Sequence, residues 1–172
     1  MLTLRALRPS DRDAFLAAVE AFRRSDPDWE FAFHFDPRAD FDAYVSMLAA
    51  WRLGRQLPLP FVPNSYLVGV VGDRIVGRLS LRHELNDFLR QVGGHIGYGV
   101  VASERRKGYA TRMLELALPM ARRVGLSRVL VTCDDDNLGS VKTIEACHGV
   151  LDKVVPVEGE APKRHYWITV PA

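Results

Sequence analysis

Cysteine is nearly absent. Cys133 and Cys147 are the whole supply, too few for a disulfide framework and without the paired spacing of a structural zinc site. No metal is expected, and a reducing, cytoplasmic setting fits best. An excess of one charge is also missing: 23 Lys and Arg against 21 Asp and Glu leave a formal net charge of +2. No strong field draws in a polyanion, so nucleic acid is not an expected partner. Long apolar runs are lacking too. A helix that crosses a bilayer needs roughly 20 apolar residues, and the apolar stretches here last only a few. Arg5, Arg8, Asp11, Arg12 and Asp13 break up the opening segment, where a secretion signal would need an unbroken apolar core. No membrane partner is expected. Internal repeats, low-complexity tracts and long linkers are absent as well.

What is present suits a globular protein. Of 172 residues, 48% are hydrophobic and 26% charged, enough to bury a core and to expect one domain over residues 1–172. Leu2 to Leu7 alternate weakly up to Pro9. Ser10, with Asp13 three places on, predicts a capped helix whose apolar stripe is Phe15, Ala18, Val19 and Phe22. Asp26 and Pro27 end it. An aromatic and acidic loop follows (Trp29, Glu30, Phe31, Phe33, His34, Phe35, Asp36), and Asp40 then caps a second helix carrying Phe41, Tyr44, Val45 and Leu48. Gly54 and the prolines at 58, 60 and 63 predict a surface loop.

The remainder alternates. Tyr66–Val71 and Ile75–Arg82 read as strands of a hairpin turning at Gly72 and Asp73. A strand over Gly94–Val101, a helix over Gly108–Val124, a strand over Arg128–Cys133 and a helix over Asn137–Cys147 come next, before the final strands. Pro119 falls inside the third helix, where it removes one backbone donor and predicts a kink.

The segment that carries chemistry is Arg105-Arg106-Lys107-Gly108-Tyr109-Ala110-Thr111, between a predicted strand and an amphipathic helix. A helix start offers unpaired N–H groups and the positive end of the helix dipole, and a glycine there lets an anion approach the main chain. A diphosphate suits that place. Just before it, Gly97 and Gly99 both fall within one strand, which calls for either a bulge or a closely approaching ligand.

Arg105-x-x-Gly108-x-Ala110 resembles the pyrophosphate-loop signature of the Gcn5-related N-acetyltransferases, the GNAT superfamily. Gly97 to Val101 and Asn137-x-x-Ser140 also stand where that family has its splayed strand and its cofactor-binding asparagine. The likeness runs from about Ile75 to Gly149. The string from His95 through Asp152, with Arg164 to Ile168, is similar to a bacterial subgroup of predicted acetyltransferases whose substrates are generally unassigned. The resemblance implies an α/β (α+β) GNAT fold with a mostly antiparallel mixed sheet, splayed at one parallel strand pair and flanked by helices. It implies acetyl-CoA as cofactor. Val100 and Val101 would bind the pantetheine arm through their backbone. Arg105, Arg106, Lys107, Gly108, Tyr109, Ala110 and Thr111 would cradle the pyrophosphate. Asn137 would bond a pantetheine amide, and Ser140 would lie beside the thiol end.

The implied reaction is direct acetyl transfer to a primary amine of a small molecule or peptide. An alkyl amine of pKa near 10 gives up its proton at pH 7 at a cost of about 4 kcal/mol, so a base is expected. His95 stands where several relatives carry a glutamate, Glu84 is the reserve, and water is a third route. The family's acid, a tyrosine, corresponds here to Ile144. Cys147, His148 or water would take its place, unless a thiolate leaves unaided. The acceptor groove would lie among the Trp29–Asp36 loop, the proline-rich loop and the last strands, whose aromatic and acidic residues favour a cationic amine. A noncatalytic acyl-CoA sensor is the alternative, and a homodimer stays open.

Two nearer-sounding motifs fail on context. Gly97-x-Gly99-x-x-Ala102 lies within a strand and does not open a helix, as a dinucleotide fingerprint must. Asp134-x-Asp136 with Gly139 and Glu145 follows a strand, whereas a calcium-binding loop follows a helix.

Overall fold

The computed structural model describes residues 1–171. Its strands are β1 (Thr3–Ala6), β2 (Asn64–Val71), β3 (Arg74–Arg82), β4 (Ile96–Val100), β5 (Arg128–Asp134), β6 (Val150–Val155) and β7 (Lys163–Thr169). Its helices are α1 (Arg12–Ser25), α2 (Phe41–Arg52), α3 (Asp87–Gln91), α4 (Tyr109–Arg123) and α5 (Leu138–Ala146). The strands form one sheet in the order β1-β2-β3-β4-β5-β7-β6. Every neighbouring pair is antiparallel except β4 with β5. This is the mostly antiparallel mixed sheet with one parallel pair that the GNAT resemblance implies.

Local chemistry sets most boundaries. Asp40 accepts from the Asp42 amide at 3.1 Å and starts α2 as expected. The start of α1 differs. Asp11, gripped by Arg5 at 2.6 and 2.8 Å, accepts the Arg8 amide at 2.8 Å and closes a short 3-10 turn over Pro9–Asp11. A carboxylate already fixed by a guanidinium is the stronger acceptor, so Ser10 is not the cap and the helix begins at Arg12. The hairpin turns at Gly72, whose φ is 61°. β4 begins at Ile96 because Gly94 has a φ of 59°, and a Cβ there would lie 2.4 Å from the Leu130 carbonyl oxygen. The short helix α3, capped by Asn86 on the Leu89 amide at 2.9 Å, was not expected. Pro119 removes one donor from α4, yet the helix continues to Arg123.

The sheet separates two cores. On one face, under α4 and α5, lie Leu79, Leu81, Ile96, Met113, Leu114, Val131 and Ile144. On the other, under α1 and α2, the packing is aromatic: Phe15, Phe22, Phe31, Phe41, Tyr44, Trp51 and Tyr66. Phe15 is its centre, fully buried, with Phe31, Phe35, Phe41, Tyr44 and Tyr66 at centroid distances of 5.2 to 6.4 Å. No helix among the described residues is long and apolar enough to cross a membrane.

Replacing Phe15 with alanine removes the shared partner of five rings and leaves a cavity that stiff neighbours fill poorly. A loss of about 3–5 kcal/mol is expected in urea unfolding with an unchanged slope. A loss below about 1 kcal/mol would contradict this packing.

Candidate active site

β4 and β5 share a single register pair, Ile96 with Val131. Just before it, the His95 amide donates to the Leu130 carbonyl at 2.7 Å, and the Leu130 amide donates back to His95 Nδ1 at 2.9 Å. Past this clasp the strands part, and a cavity of about 660 Å³ opens. Tyr98, Gly99 and Val100 of β4 form one wall. Asp134, Asn137, Ser140 and Thr143 form another, the loop ahead of α4 closes the end, and Phe22, Asp26 and Trp29 reach in from α1 and its following loop.

The loop is built to leave amides free. Arg106 and Gly108 are left-handed, with φ of 60° and 77°, a curl that turns successive N–H groups to one side. No acceptor among the described residues takes the amides of residues 106 to 111. A Cβ added at Gly108 would meet nothing within 4 Å. The side chains are mostly occupied. Arg105 donates from Nε to the Val100 carbonyl at 3.0 Å and pairs with Asp26. Lys107 pairs with Glu104 at 2.9 Å, and Glu104 also holds Arg74 at 2.5 Å. Arg106 lines the cavity without an ion pair among the described residues. The basic run therefore shapes the loop and offers one unpaired cation.

Asn137 caps α5 with Oδ1, accepting the Ser140 amide at 3.0 Å. Its Nδ2 donates to no acceptor among the described residues and faces the cavity's solvent. Tyr98 was missed by sequence reasoning. Its ring packs toward α5, and its hydroxyl is buried with no hydrogen bond of good geometry. Burial pushes this phenol well above its ordinary pKa, and the nearby Ser140 and Thr143 only partly offset that. The signal was available, because strand alternation sends Tyr98 to the face opposite Gly97 and Gly99.

The cavity gathers Val100, Arg105, Arg106, Gly108, Tyr109, Ala110, Thr111, Asn137 and Ser140. Four expected residues stay outside its lining. Val101 packs in the aromatic core, and its amide already donates to the Val76 carbonyl at 2.9 Å. Lys107 is turned to Glu104. Glu84 is exposed in the connection after β3. His95 is buried, and its Nδ1 lone pair is spent on Leu130, so the ring is a strand clasp and not a free base. Burial, with Arg90, Arg82 and Arg128 adding, pulls this imidazole down to about 4. Ile144, at the place of the family's tyrosine acid, is fully buried, and neither side chain expected to stand in for that acid lines the cavity. Cys147 turns its thiol to the Thr111 carbonyl at 3.7 Å, and His148 is exposed past the end of α5.

The two strand glycines have separate reasons. The β3–β4 register steps evenly, so there is no bulge. A Cβ at Gly99 would lie 2.7 to 2.8 Å from Trp29 and Phe22, and one at Gly97 would lie 3.5 Å from the Arg82 guanidinium. The aromatic pair expected to receive a cationic amine already holds a cation of the protein's own: the Arg78 guanidinium lies 3.9 Å over Trp29 and 4.5 Å over Phe33.

The profile of the acetyltransferase (GNAT) domain matches residues 1–150. The chain belongs to the GNAT acetyltransferase family. No curated protein matches it in sequence. Among solved structures, it is similar to RimJ of Mycobacterium smegmatis in complex with CoA-disulfide. The TM-score is 0.70 and the identity 22%, over 98% of this chain and 81% of that one. The microcin C7 self-immunity acetyltransferase MccE, in complex with acetyl-CoA and AMP, gives 0.70 and 16% over 98% and 92%. yncA of Salmonella typhimurium, with its cofactor acetyl-CoA, gives 0.64 and 16% over 99% and 94%. At these identities the likeness is one of fold. The family sets the enzyme class: this GNAT is an acetyl-CoA-dependent acyltransferase. Its residues fit the cofactor, since the free amides of the loop, the uncommitted Nδ2 of Asn137 and the orphaned Tyr98 hydroxyl all border one cleft.

In this GNAT the His95 clasp has a pH signature. The ordinary histidine pKa is near 6.5, so the unfolded chain takes up a proton between pH 6.5 and about 4 that the folded chain refuses. Stability is therefore lost as pH falls through that window, at up to about 1.4 kcal/mol per pH unit. His95→Asn keeps an acceptor for Leu130 without a titrating ring. Urea unfolding from pH 7.5 to 4.5 should show the wild-type advantage over this variant shrinking on acidification. A constant difference would remove the clasp.

Proposed function

We propose that the chain acetylates a primary amine by direct attack with both substrates bound, without an acyl-enzyme. The observation that carries this reading is the run of unpaired amides ending in a cleft that holds an unpartnered phenol. When bound, acetyl-CoA supplies an activated thioester and a sulfur leaving group. The chain's own groups do the rest. Amides from Arg106 to Thr111 take the anionic end of the cofactor, Asn137 Nδ2 orients its arm, and Tyr98 Oη keeps its proton and donates a hydrogen bond into the cleft. Reaching from β4 in place of α5, it hydrogen-bonds the departing sulfur, which leaves as a thiolate and takes its proton from solvent. Neither cysteine competes as a nucleophile, since burial pushes both thiols up to about 11 and leaves little thiolate.

No side-chain base faces the cavity at the positions expected, so solvent takes the amine's proton. The logarithm of kcat/KM should then rise about one unit per pH unit up to the acceptor's own pKa, with no break near 6.5, in wild type and His95→Asn alike. A bell with a limb near 6.5 that vanishes in the variant would restore His95 as the base. Tyr98→Phe should lower kcat about 10²-fold while calorimetry shows an unchanged acetyl-CoA Kd. An unchanged kcat would remove the phenol from the mechanism. Gly108→Val, strained at a φ of 77°, should weaken acetyl-CoA binding at least about tenfold. Equal affinity would detach the loop from the cofactor.

The buried Ile144 and the spent lone pair of His95 favour one other reading, a sensor that binds acyl-CoA without turnover. Tight acetyl-CoA binding with no thiol release on any amine, in wild type and Tyr98→Phe, would select it.

A further inference from the structure

Five buried side-chain polar atoms among the described residues lack a hydrogen-bond partner. One is the Tyr98 hydroxyl in the cofactor cleft. The other four are Tyr44 Oη, Asn64 Oδ1, Arg78 Nη1 and Ser80 Oγ. These four gather on the opposite side of the sheet, under α1 and α2. Register fixes their places, because residues paired across strands share a face. Arg78 stands between Val68 and Gly99, Ser80 between Tyr66 and Gly97, and Arg82 beside Asn64. Tyr44 and Tyr66 both pack on Phe15, and both phenols feel the Arg78 charge.

Two guanidiniums sit in this layer without a counter-anion. Arg78 is 3% exposed and donates to the carbonyls of Phe31 at 3.1 Å and Glu30 at 2.5 Å. Arg82 donates to the carbonyls of Gly93 at 2.9 Å and Gly94 at 3.1 Å. Neither has a carboxylate partner among the described residues. Burial pulls both down to about 10, so both stay charged near neutral pH. A desolvated cation with a free Nη is unfavourable unless an anion completes it. Gly97 and Gly99 add no side chain to this face, but Arg82 lies over the first and Trp29 and Phe22 over the second, so space for an anion opens only when Trp29 moves.

Two stacked rings, Phe22 and Trp29, lie on Gly99 between this layer and the cofactor cleft, and of these Trp29 is the one over Arg78. Trp29 also lines the cleft. It is half-buried, and its indole N–H donates to no acceptor among the described residues, so stacking alone holds it.

We infer that the acceptor is an amine bearing an oxyanion, a carboxylate first, which displaces Trp29 and is held by Arg78 Nη1 and Ser80 Oγ with Arg82 alongside. The acceptor's amine is thereby placed over the Gly97–Gly99 face of β4, beside the cleft. This inference rests on the transferase reading above and reverses the cationic preference expected from the loop's aromatic and acidic residues.

The test runs in two stages on the full chain. Calorimetry with acetyl-CoA comes first, and absence of binding sinks the transferase reading itself. Thiol release is then compared for amino acids from glycine to ε-aminocaproate, for the matching carboxamides, for aminoalkyl phosphates and for the matching diamines. The expected result is a kcat/KM for one of the anionic series at least about tenfold above its neutral and cationic matches. The phosphate arm decides between the two oxyanions. Arg78→Met should erase the preference. Ser80→Ala, which deletes only an unbonded hydroxyl and keeps the fold, should reduce it about threefold to tenfold. A separate readout needs no turnover: hexanoate should change the Trp29 fluorescence, taken as the difference between wild type and Trp29→Phe. Acetyl-CoA binding with equal or better use of carboxamides or diamines, with a preference that survives in both variants, or with no turnover on any series would overturn the inference and leave the cluster to ordered water.

Discussion

β4 and β5 are tied at one end and free at the other, and the usable geometry of the molecule descends from that asymmetry. Parallel strands normally continue their ladder for several residues. Here a single pair, Ile96 with Val131, is reinforced by the His95 ring, and then the ladder stops. The unpaired edges that result face each other across the cleft. Tyr98 and Val100 turn to the α4 and α5 side, whereas Gly97 and Gly99 put no side chain on the α1 and α2 side, where Arg82, Trp29 and Phe22 close over them. On the proposed reading, one strand would serve two substrates, one on each face. A histidine that spends its acceptor on the neighbouring strand is what keeps the split from running further.

Charge is managed differently on the two sides. Ahead of α4, Glu104 takes Arg74 and Lys107 while Asp26 takes Arg105. The side-chain charge is largely neutralised, and the main chain is left with free amides. Under α1 and α2, the guanidiniums of Arg78 and Arg82 are buried with carbonyls only. The first arrangement leaves little net side-chain charge to attract arbitrary polyanions. The second concentrates positive potential in a place that water reaches poorly, where electrostatic interactions are strongest.

Much of this was legible in the sequence where the signal is local. Asp40 and Asn137 as caps, the Gly72 turn and the helix after Gly108 each follow from a residue's own chemistry, and each is found within a residue or two of its expected place. The curl of free amides ahead of α4 was legible for the same reason, through Gly108. Features that depend on distant partners were not. Ser10 lost the cap to Asp11 because Arg5 arrives from β1. His95 seemed a free base until Leu130, 35 residues away, claimed its lone pair. Val101 counts with the bare face of the strand, and only the assembled sheet shows that this face is filled by aromatic rings at that point. Arg78 was invisible as a site residue, since a lone arginine in a predicted strand carries no sign of the Trp29 and Phe33 rings that bury it.

The two cores do not touch through the sheet except by way of its backbone, and they are made of different materials. The layer under α4 and α5 is largely aliphatic and backs one wall of the cleft. The layer under α1 and α2 is a set of interlocked rings crowded around Phe15. Interlocked rings are stiff, so substitutions there shift their neighbours as a group, while the aliphatic layer behind the strands keeps its shape. On the reading proposed above, a lineage built on this plan would remodel its choice of acceptor without relearning how to hold its acyl donor.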